Sequence, residues 1–329
     1  MLSAPGDLDE GALARALEQG WGIGVAAMTY RPVGWGSHHW EVTGAEGTRW
    51  FVTVDELEHK RLAESESADD GFARLTASLR SAVELKNAGL DFVVAPLPPR
   101  GEDRPAARLG ERFAIALYPF VEGTSFSWGD WMSEQRARIA EMAAAVHLAP
   151  PRARRHALTD EFAVPFRDQL EAGCARRGVT DCGPYALPLA RLLAKHAAPV
   201  RRALRRYDDL VSVARALPAR NVLTHGEPHP GNTMLTADGW RLIDWDTALI
   251  APPERDLWTL DPGDGSVLDA YTAVTSVAPV PELLELYRLG WDVKDMAADA
   301  ARLMRPHTGN EDDEKTWKVL NELIRRADQ

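Results

Sequence analysis

The residue pattern of this 329-residue chain changes near Gly123, and this change constrains the fold more than any other feature. Before Gly123, short stretches rich in aromatic and β-branched residues predict strands at 29–33, 39–43, 49–54, near Val93 and at 113–117, with a helix at 71–88. After it, stretches rich in Ala, Leu and Arg predict helices at 128–148, 188–216, 281–304 and 310–327, around a β-like island at 222–250.

The length exceeds what one ordinary core needs, so we expect an α+β protein with two lobes. A small β-rich lobe covers residues 1–122 and a larger, mostly helical lobe covers residues 123–329. A connector at 118–123 joins them.

The charge and composition exclude several classes of protein. The net charge is -11, from 38 Lys and Arg against 49 Asp and Glu, which argues against a nucleic-acid partner. The acidity suits a cationic substrate or only keeps the protein soluble, and both readings stay open. No membrane-length apolar run and no signal-peptide pattern are present, so we expect a cytoplasmic protein without a membrane partner. The two cysteines, Cys174 and Cys182, do not form a disulfide framework or a zinc pattern.

A polar loop between two predicted strands carries the most informative residues. It presents the carboxylate of Glu227 and, five residues later, the amide of Asn232. The pair Asp238-Gly239 then predicts a hairpin turn, which returns the chain so that Asp244 comes near Asn232. Phosphoryl transfer needs such a set: a carboxylate for the attacking hydroxyl, and oxygen ligands for magnesium on the phosphates.

Three short motifs carry a resemblance to a known family. They are His-Gly-Glu-Pro-His-Pro-Gly-Asn at 225–232, Ile-Asp-Trp-Asp at 243–246 and Arg-Asp-Leu at 255–257. Together they resemble the aminoglycoside phosphotransferase family, which includes choline-kinase-like enzymes. The resemblance implies a bilobal protein-kinase-like fold and a kinase that moves the γ-phosphate of ATP, or of GTP, onto a hydroxyl.

The resemblance also implies roles for individual residues. Glu227 stands where the family has its catalytic Asp, and Asn232 and Asp244 stand at the positions that bind Mg²⁺. His225 is expected to brace the loop, and Asp256 to tie the loop to the helical lobe.

The nucleotide is expected against the first lobe and the connector. The turn with Gly34, Gly36 and Ser37 covers the phosphates in this interpretation, although glycines between two strands also suit a plain hairpin. In the connector, the carbonyl of Pro119 and the N–H of Val121 are the expected adenine contacts.

Two departures from the family pattern bear on catalysis. Glu227 replaces the usual Asp and so adds one methylene. Thr53 occupies the strand position at which the family carries a phosphate-binding lysine, and Lys60, Arg61 and Lys86 are candidates to replace it. The missing lysine leaves open a degenerate protein that binds nucleotide without turnover.

The acceptor remains the least determined part. Its predicted lining is Trp258, Asp261, Asp264 and Tyr271, together with Trp291 and Asp295. Core packing and helix capping are the alternatives for these residues. An insert at 152–186 is either a mobile lid or a plain surface helix pair.

The leading prediction is a kinase for an aminoglycoside, aminocyclitol or nucleoside-type antibiotic, serving resistance or self-protection. A metabolic kinase of choline, homoserine or sugar type is the alternative, besides the degenerate protein. The state of assembly, monomer or homodimer, stays open.

Overall fold

A five-stranded antiparallel sheet forms the N-terminal lobe of the computed structural model, which describes residues 1–129, 131–177 and 180–328. The strands lie in the order β1-β2-β3-β5-β4. Their bounds are β1 Val25–Arg31, β2 His38–Gly44, β3 Arg49–Glu56, β4 Ala107–Leu109 and β5 Phe113–Pro119. The short β4 was not predicted, and the strand expected near Val93 is only a single bridge to Leu242.

The sheet has two different faces because side chains alternate along each strand. On one face, Val52 and Val54 of β3 pack in a core with helix α1, Glu10–Trp21, which the sequence analysis did not predict. Thr53 and Asp55 point to the other face. That face packs against helix α2, Ala68–Asn87.

The C-terminal lobe is built around helix α9, Pro281–Leu303, whose buried residues share a core with α6 and α10. The predicted helix at 188–216 is two helices, because the chain breaks at His196. The other helices of this lobe are α3 Ser133–His147, α4 Arg167–Cys174, α5 Ala186–Lys195, α6 Ala197–Ala216, α7 Glu254–Leu260, α8 Ser266–Thr275 and α10 Glu311–Arg326. Of the described helices, none combines the length and apolar character that a membrane span needs.

Two small sheets lie within the C-terminal lobe. Strands β6 Thr124–Ser125, β8 Thr233–Thr236 and β9 Gly239–Leu242 form one, and β7 Val222–Thr224 pairs with β10 Leu249–Ala251 in the other. A Cβ on Gly123 would lie 2.7 Å from the Leu235 carbonyl oxygen, so glycine lets the connector run directly against the β8–β9 hairpin. The connector and the hairpin are therefore held together.

The described part of the insert packs against the helical lobe and the segment after β3. The N–H of Phe166 donates to the Leu62 carbonyl, and Gln169 donates to Glu64. Leu170 and Cys174 of α4 are buried in the main core. These contacts hold the described part of the insert against the rest of the chain, and both the mobile lid and the surface helix pair stay predictions.

Candidate active site

A single buried carboxylate holds the loop that follows β7. The two oxygens of Asp256 accept hydrogen bonds from the N–H groups of His225, at 2.9 Å, and Gly226, at 2.6 Å. His147 of α3 lies 3.0 Å from the same carboxylate through Nε2. Burial alone would raise the pKa of Asp256, but the hydrogen bond from His147 and the nearby side chains of His147, His225 and Arg255 lower it overall. The loop is thus anchored to α7 and α3.

Gly226 lies at a backbone position that only glycine fits. Its φ is +101°, and an added Cβ would lie 2.4 Å from the Arg255 guanidinium. Arg255 itself donates to the Thr224 hydroxyl and to the Thr247 carbonyl, both at 2.8 Å. The motif glycine therefore leaves room for an arginine that ties both ends of the site together.

His225 braces the loop as a neutral imidazole. Its Nε2 lies 2.8 Å from the Ile243 carbonyl, and its Nδ1 accepts from the Glu227 N–H at 3.2 Å. Burial lowers the pKa of His225, so the ring keeps one proton, which these partners place on Nε2. The side chain links the end of β9 to the backbone of Glu227.

Asn232 and Asp244 are adjacent across the β8–β9 hairpin. The Ile243 N–H donates to the Asn232 carbonyl at 2.9 Å, and the Asn232 Nδ2 donates to the Glu227 carbonyl at 3.0 Å. The Nδ2 group of Asn232 is thus bound to the backbone, and the Oδ1 atom remains as an acceptor. The predicted turn at Asp238-Gly239 is shifted by one residue, because Thr236 pairs with Gly239.

Asp244 has a left-handed backbone conformation and a carboxyl group with a raised pKa. Its φ is +65°, a region that aspartate tolerates better than most residues. The side chain keeps an open surface, but the walls of the cleft desolvate it, and Asp246 and Glu227 add like charge. Together these effects raise its pKa well above the usual value. A cation bound here would relieve this repulsion.

The donor set fits magnesium, which prefers oxygen ligands and takes one or two protein carboxylates besides phosphate oxygens. Asn232 and Asp244 offer such oxygens. Within the described ranges, no three His, Cys, Asp or Glu side chains are placed to hold a metal ion by themselves.

Glu227 is the carboxylate next to this pair. Burial and the charges of Asp246 and Asp295 raise its pKa to about 8. Its Oε2 lies 3.9 Å from the Nε2 of His229, too far for a hydrogen bond. Burial lowers the pKa of His229 to about 3, so this ring is neutral as well.

Of the predicted nucleotide contacts, Ser37 differs from the others because its side chain is bound within the protein. Gly34 and Gly36 have positive φ values of +70° and +89°, and Val121 makes no hydrogen bond through its N–H within the described chain. Pro119 ends β5 and is exposed. Ser37, however, is buried and donates its hydroxyl to Asp55 at 2.6 Å, so this group is engaged in the loop and is not directed at a phosphate.

The three residues that could replace the missing strand lysine lie in different places. Lys60 lies in the cleft, with its ammonium 2.9 Å from Asp55 and 2.5 Å from Asp246. Arg61 pairs with Glu58 and Glu64, away from the motif carboxylates. Lys86 pairs with Asp91 at the far end of α2.

An aromatic cluster contacts His229, two residues after Glu227. Trp128 stacks on Trp291 with ring centroids 5.0 Å apart and meets the edge of His229 at 4.2 Å, and Trp258 lies 5.8 Å from Trp291. Trp128 keeps 45% of its surface exposed. Asp295, one helical turn after Trp291, has its pKa raised to about 7 by burial and by neighbouring aspartates.

Three of the predicted acceptor residues have structural partners instead. Tyr271 is 3% exposed, and its hydroxyl lies 2.9 Å from His147. Asp261 accepts from the Gly263 N–H, and Asp264 accepts from the N–H and hydroxyl of Ser266. These groups satisfy the α7–α8 loop and the α8 N-terminus, so we leave them out of the proposed acceptor site.

Trp128 and Asp55 were missed from the sequence. Trp128 was assigned to a predicted helix, which starts only at Ser133. Asp55 carries a usable signal, because it lies two residues after Thr53 and must share its face of β3. A cavity of about 540 Å³ lies elsewhere, between residues 159–163 and 214–221, and none of the residues above lines it.

Comparison with known proteins places the chain in a family. The model described as "Phosphotransferase enzyme family" matches residues 29–295. Protein StrN of Streptomyces griseus is 32% identical over 250 residues, which cover 73% of this chain and 74% of that protein.

Two solved structures share the fold. A spectinomycin phosphotransferase in complex with ADP and spectinomycin has a TM-score of 0.69 at 16% identity, covering 96% of this chain and 97% of that one. A microcompartment-associated aminopropanol kinase has a TM-score of 0.61 at 14% identity, covering 97% of each chain. The chain belongs to the phosphotransferase enzyme family and is a small-molecule kinase.

Proposed function

We propose that this protein transfers the γ-phosphate of ATP, or of GTP, to a hydroxyl of an amine-bearing antibiotic of the aminoglycoside, aminocyclitol or nucleoside type. One observation carries the proposal. Glu227 lies between the Asn232–Asp244 pair, which is suited to magnesium and phosphates, and the cluster of His229, Trp128 and Trp291. A carboxylate in that position reaches both the phosphate side and the acceptor side.

Glu227 is the proposed base. Its pKa of about 8 lies near working pH, where a carboxylate accepts a proton most effectively while still being partly ionised. It orients the acceptor hydroxyl toward the γ-phosphate and takes its proton as the new P–O bond forms. The bond from the γ-phosphorus to the bridging oxygen breaks in the same transfer, and the nucleoside diphosphate leaves. His225, which accepts from the Glu227 N–H, holds the backbone that aims this carboxylate.

Asn232 and Asp244 are the proposed magnesium ligands. A bound Mg²⁺ would supply charge neutralisation for the phosphates. The repulsion among Asp244, Asp246 and Glu227 favours binding of a cation at this point.

The acceptor side favours a cationic ligand. Asp295 and Asp299 lie on one face of α9, one turn apart, with Trp291 in the preceding turn. Neither carboxylate makes an ion pair within the described residues, and burial raises the pKa of each to about 7. An ammonium group would restore their ionised form, and the tryptophan faces would contact the apolar part of the ligand.

The nucleotide is proposed to bind between the sheet lobe and the connector. The Val121 N–H and the Pro119 carbonyl are the proposed adenine contacts, and the backbone at Gly34 and Gly36 lies over the phosphates. We propose residues 1–122 and 123–329 as the two lobes that close on it.

The test is nucleotide consumption with Mg²⁺ and a panel of aminoglycosides, aminocyclitols, nucleoside antibiotics, choline, aminopropanol and homoserine. Glu227→Gln is the catalytic control. Turnover with an amine-bearing antibiotic that the control loses supports the proposal. Turnover with only the small amino alcohols or homoserine replaces it by a metabolic kinase. Binding of nucleotide without turnover on any acceptor overturns the proposed activity in favour of a degenerate protein.

A further inference from the structure

Lys60 is the one lysine or arginine of the described chain that forms an ion pair with Glu227, Asp244 or Asp246. Its ammonium contacts Asp246, in the catalytic motif of the helical lobe, and Asp55, on the sheet lobe. A cleft that takes a nucleotide brings still more negative charge to this place. The carboxylates and the phosphates therefore need a cation here.

We propose that Lys60 binds the nucleotide phosphates in place of the lysine that Thr53 has replaced, and that Asp55 positions it. The inference rests on the proposed kinase function and deepens it by naming the phosphate-binding residue. An ammonium has three N–H donors, and two are taken by Asp55 and Asp246. The third has no partner in the described residues and is free for a phosphate oxygen.

The position of Lys60 is compatible with that of a strand lysine. Thr53 and Asp55 lie on the same face of β3, roughly 7 Å apart along the strand. The Lys60 ammonium lies against the Asp55 carboxylate. The side chain of a lysine at position 53 would span about the same length, so its charge would reach the same side of the cleft. The function is thus taken over by a residue that approaches from the following turn.

The backbone of Lys60 is held independently of its charge. A Cβ on Gly71 of α2 would lie 2.8 Å from the Leu57 carbonyl and 3.3 Å from the Lys60 Cβ, so glycine lets the turn Leu57–Lys60 pack directly on α2. Arg74 donates to the Lys60 carbonyl at 2.5 Å and pairs with Glu66. The turn is built to present Lys60 at one place.

Within the described residues, no glutamate of α2 pairs with Lys60. Glu84 of α2 pairs with Arg155 of the insert. Asp55 takes the place of such a partner, and it also accepts the hydroxyl of Ser37 at the end of the β1–β2 loop. The carboxylate therefore links the loop that covers the phosphates with the ammonium that contacts them.

The experiment measures binding of adenosine and of a non-hydrolysable ATP analogue with Mg²⁺, in the wild type, in Lys60→Met and in Thr53→Lys/Lys60→Met. We expect Lys60→Met to weaken the ATP analogue about 100-fold and adenosine less than about twofold. The double variant regains most of the loss, because it restores a cation on the phosphate side without rebuilding the ion pair with Asp246. Lys86→Met is the matched control, since Lys86 is the other lysine of the first lobe and is exposed.

The outcomes distinguish a failure of the proposed kinase function from a failure of the Lys60 assignment. If the wild type binds neither ligand, the kinase function itself fails. If the wild type binds both and Lys60→Met binds the ATP analogue equally well, the assignment of Lys60 is overturned. Equal weakening of adenosine and of the ATP analogue, with no recovery in the double variant, also overturns it and shows a purely structural ion pair. Asp55→Asn is expected to weaken the ATP analogue about tenfold, and Lys60→Arg to retain part of its affinity.

Discussion

The two sides of the cleft differ in how closely their site residues lie together in the sequence. In the helical lobe, the residues proposed for catalysis lie within residues 225–246, and hydrogen bonds between side chains and the backbone link them within that stretch. In the sheet lobe, the proposed contacts come from the β1–β2 loop, β3, the following turn and the connector. The first region has a motif that can be read from the sequence, and the second does not.

The difference has a physical origin. Gly226 must be glycine because its φ is +101° and the Arg255 guanidinium fills the space of a side chain. His225 accepts from a backbone N–H two residues away, so residue type and spacing are constrained together. A phosphate-binding cation has no such constraint, since a long side chain reaches the same point from several backbone positions. We therefore expect a sequence motif where the backbone sets the geometry of a site. Where a long, flexible side chain sets it, we expect that the residue can come from another position in the chain.

The largest expected effect tests the helical side. Asp244→Asn is expected to lower kcat roughly 1,000-fold with Mg²⁺ and a working acceptor, because it removes the charge proposed to hold the metal on the phosphates. Asparagine keeps the size and tolerates the left-handed backbone at this position, so the melting temperature is expected to stay within a few degrees of the wild type. Steady-state kinetics and thermal unfolding measure the two effects.

Asp238→Asn is the control for this variant, because Asp238 lies in the exposed turn of the same hairpin. A rate for Asp244→Asn near that of the control contradicts the metal assignment. It would also remove the contrast between the two sides of the cleft.

The sequence was sufficient for the helical side of the site and for the fold class. The hydrophobic pattern predicted β2, β3, β5, α2 and α9 within a few residues, because β5 is a short apolar stretch and the other four have a regular period and a buried face. It missed α1, which has 12 residues, and β4, which has three, and it placed Tyr271 in the acceptor site although that hydroxyl lies 2.9 Å from His147. A buried aromatic ring and a ligand-stacking ring cannot be distinguished by sequence spacing.

Long-range contacts explain the other omissions. The pairing of Lys60 with Asp246 joins residues far apart in the chain, and nothing local to Lys60 indicates it. The contact of Trp128 with His229 is similar, because it depends on how the segment before α3 approaches the catalytic loop. Such contacts follow from the tertiary structure and have no periodic signal.

The pH profile of turnover tests the role of Glu227. Its carboxyl group must be ionised to accept a proton, and its pKa is about 8, so kcat/KM is expected to rise with pH up to about that value. Well below it the rate falls about tenfold per pH unit, because the ionised fraction does. Initial rates between about pH 6 and 9 at saturating nucleotide measure this. A flat profile over this range contradicts a base with a raised pKa, and Glu227→Gln should remove the dependence together with most of the rate.

A smaller expected effect concerns Asp256, which anchors the catalytic loop, and the quantity tested is the stability of the protein. Asp256→Asn is expected to lower the free energy of unfolding by about 3 kcal/mol at neutral pH, because an amide cannot accept from both N–H groups and still meet His147. The pKa of Asp256 is lowered by folding, so its stabilisation is present above the unfolded value of 3.8 and is lost as the pH falls through the folded value.

Urea unfolding at neutral and acidic pH, with Asp238→Asn as control, measures this difference. The gap between the Asp256 variant and the wild type should narrow as the pH falls below about 4. A gap that is absent at neutral pH shows that the loop is held by other contacts. The helical side would then be less strictly organised than its motif indicates.

The smallest expected effect concerns the sheet side. Ser37→Ala removes a hydroxyl that donates to Asp55, so it is expected to raise the KM for nucleotide only about fivefold, in line with one hydrogen bond of about 1 kcal/mol. Since the hydroxyl orders the loop through Asp55, its effect should nearly vanish in an Asp55→Asn background. A phosphate donor would behave differently, because the effect of its loss would add to that of Asp55→Asn. Binding of ADP to the two single variants and the double variant distinguishes these cases. Additive effects would restore Ser37 as a phosphate contact and would give the sheet lobe a local motif like that of the catalytic loop.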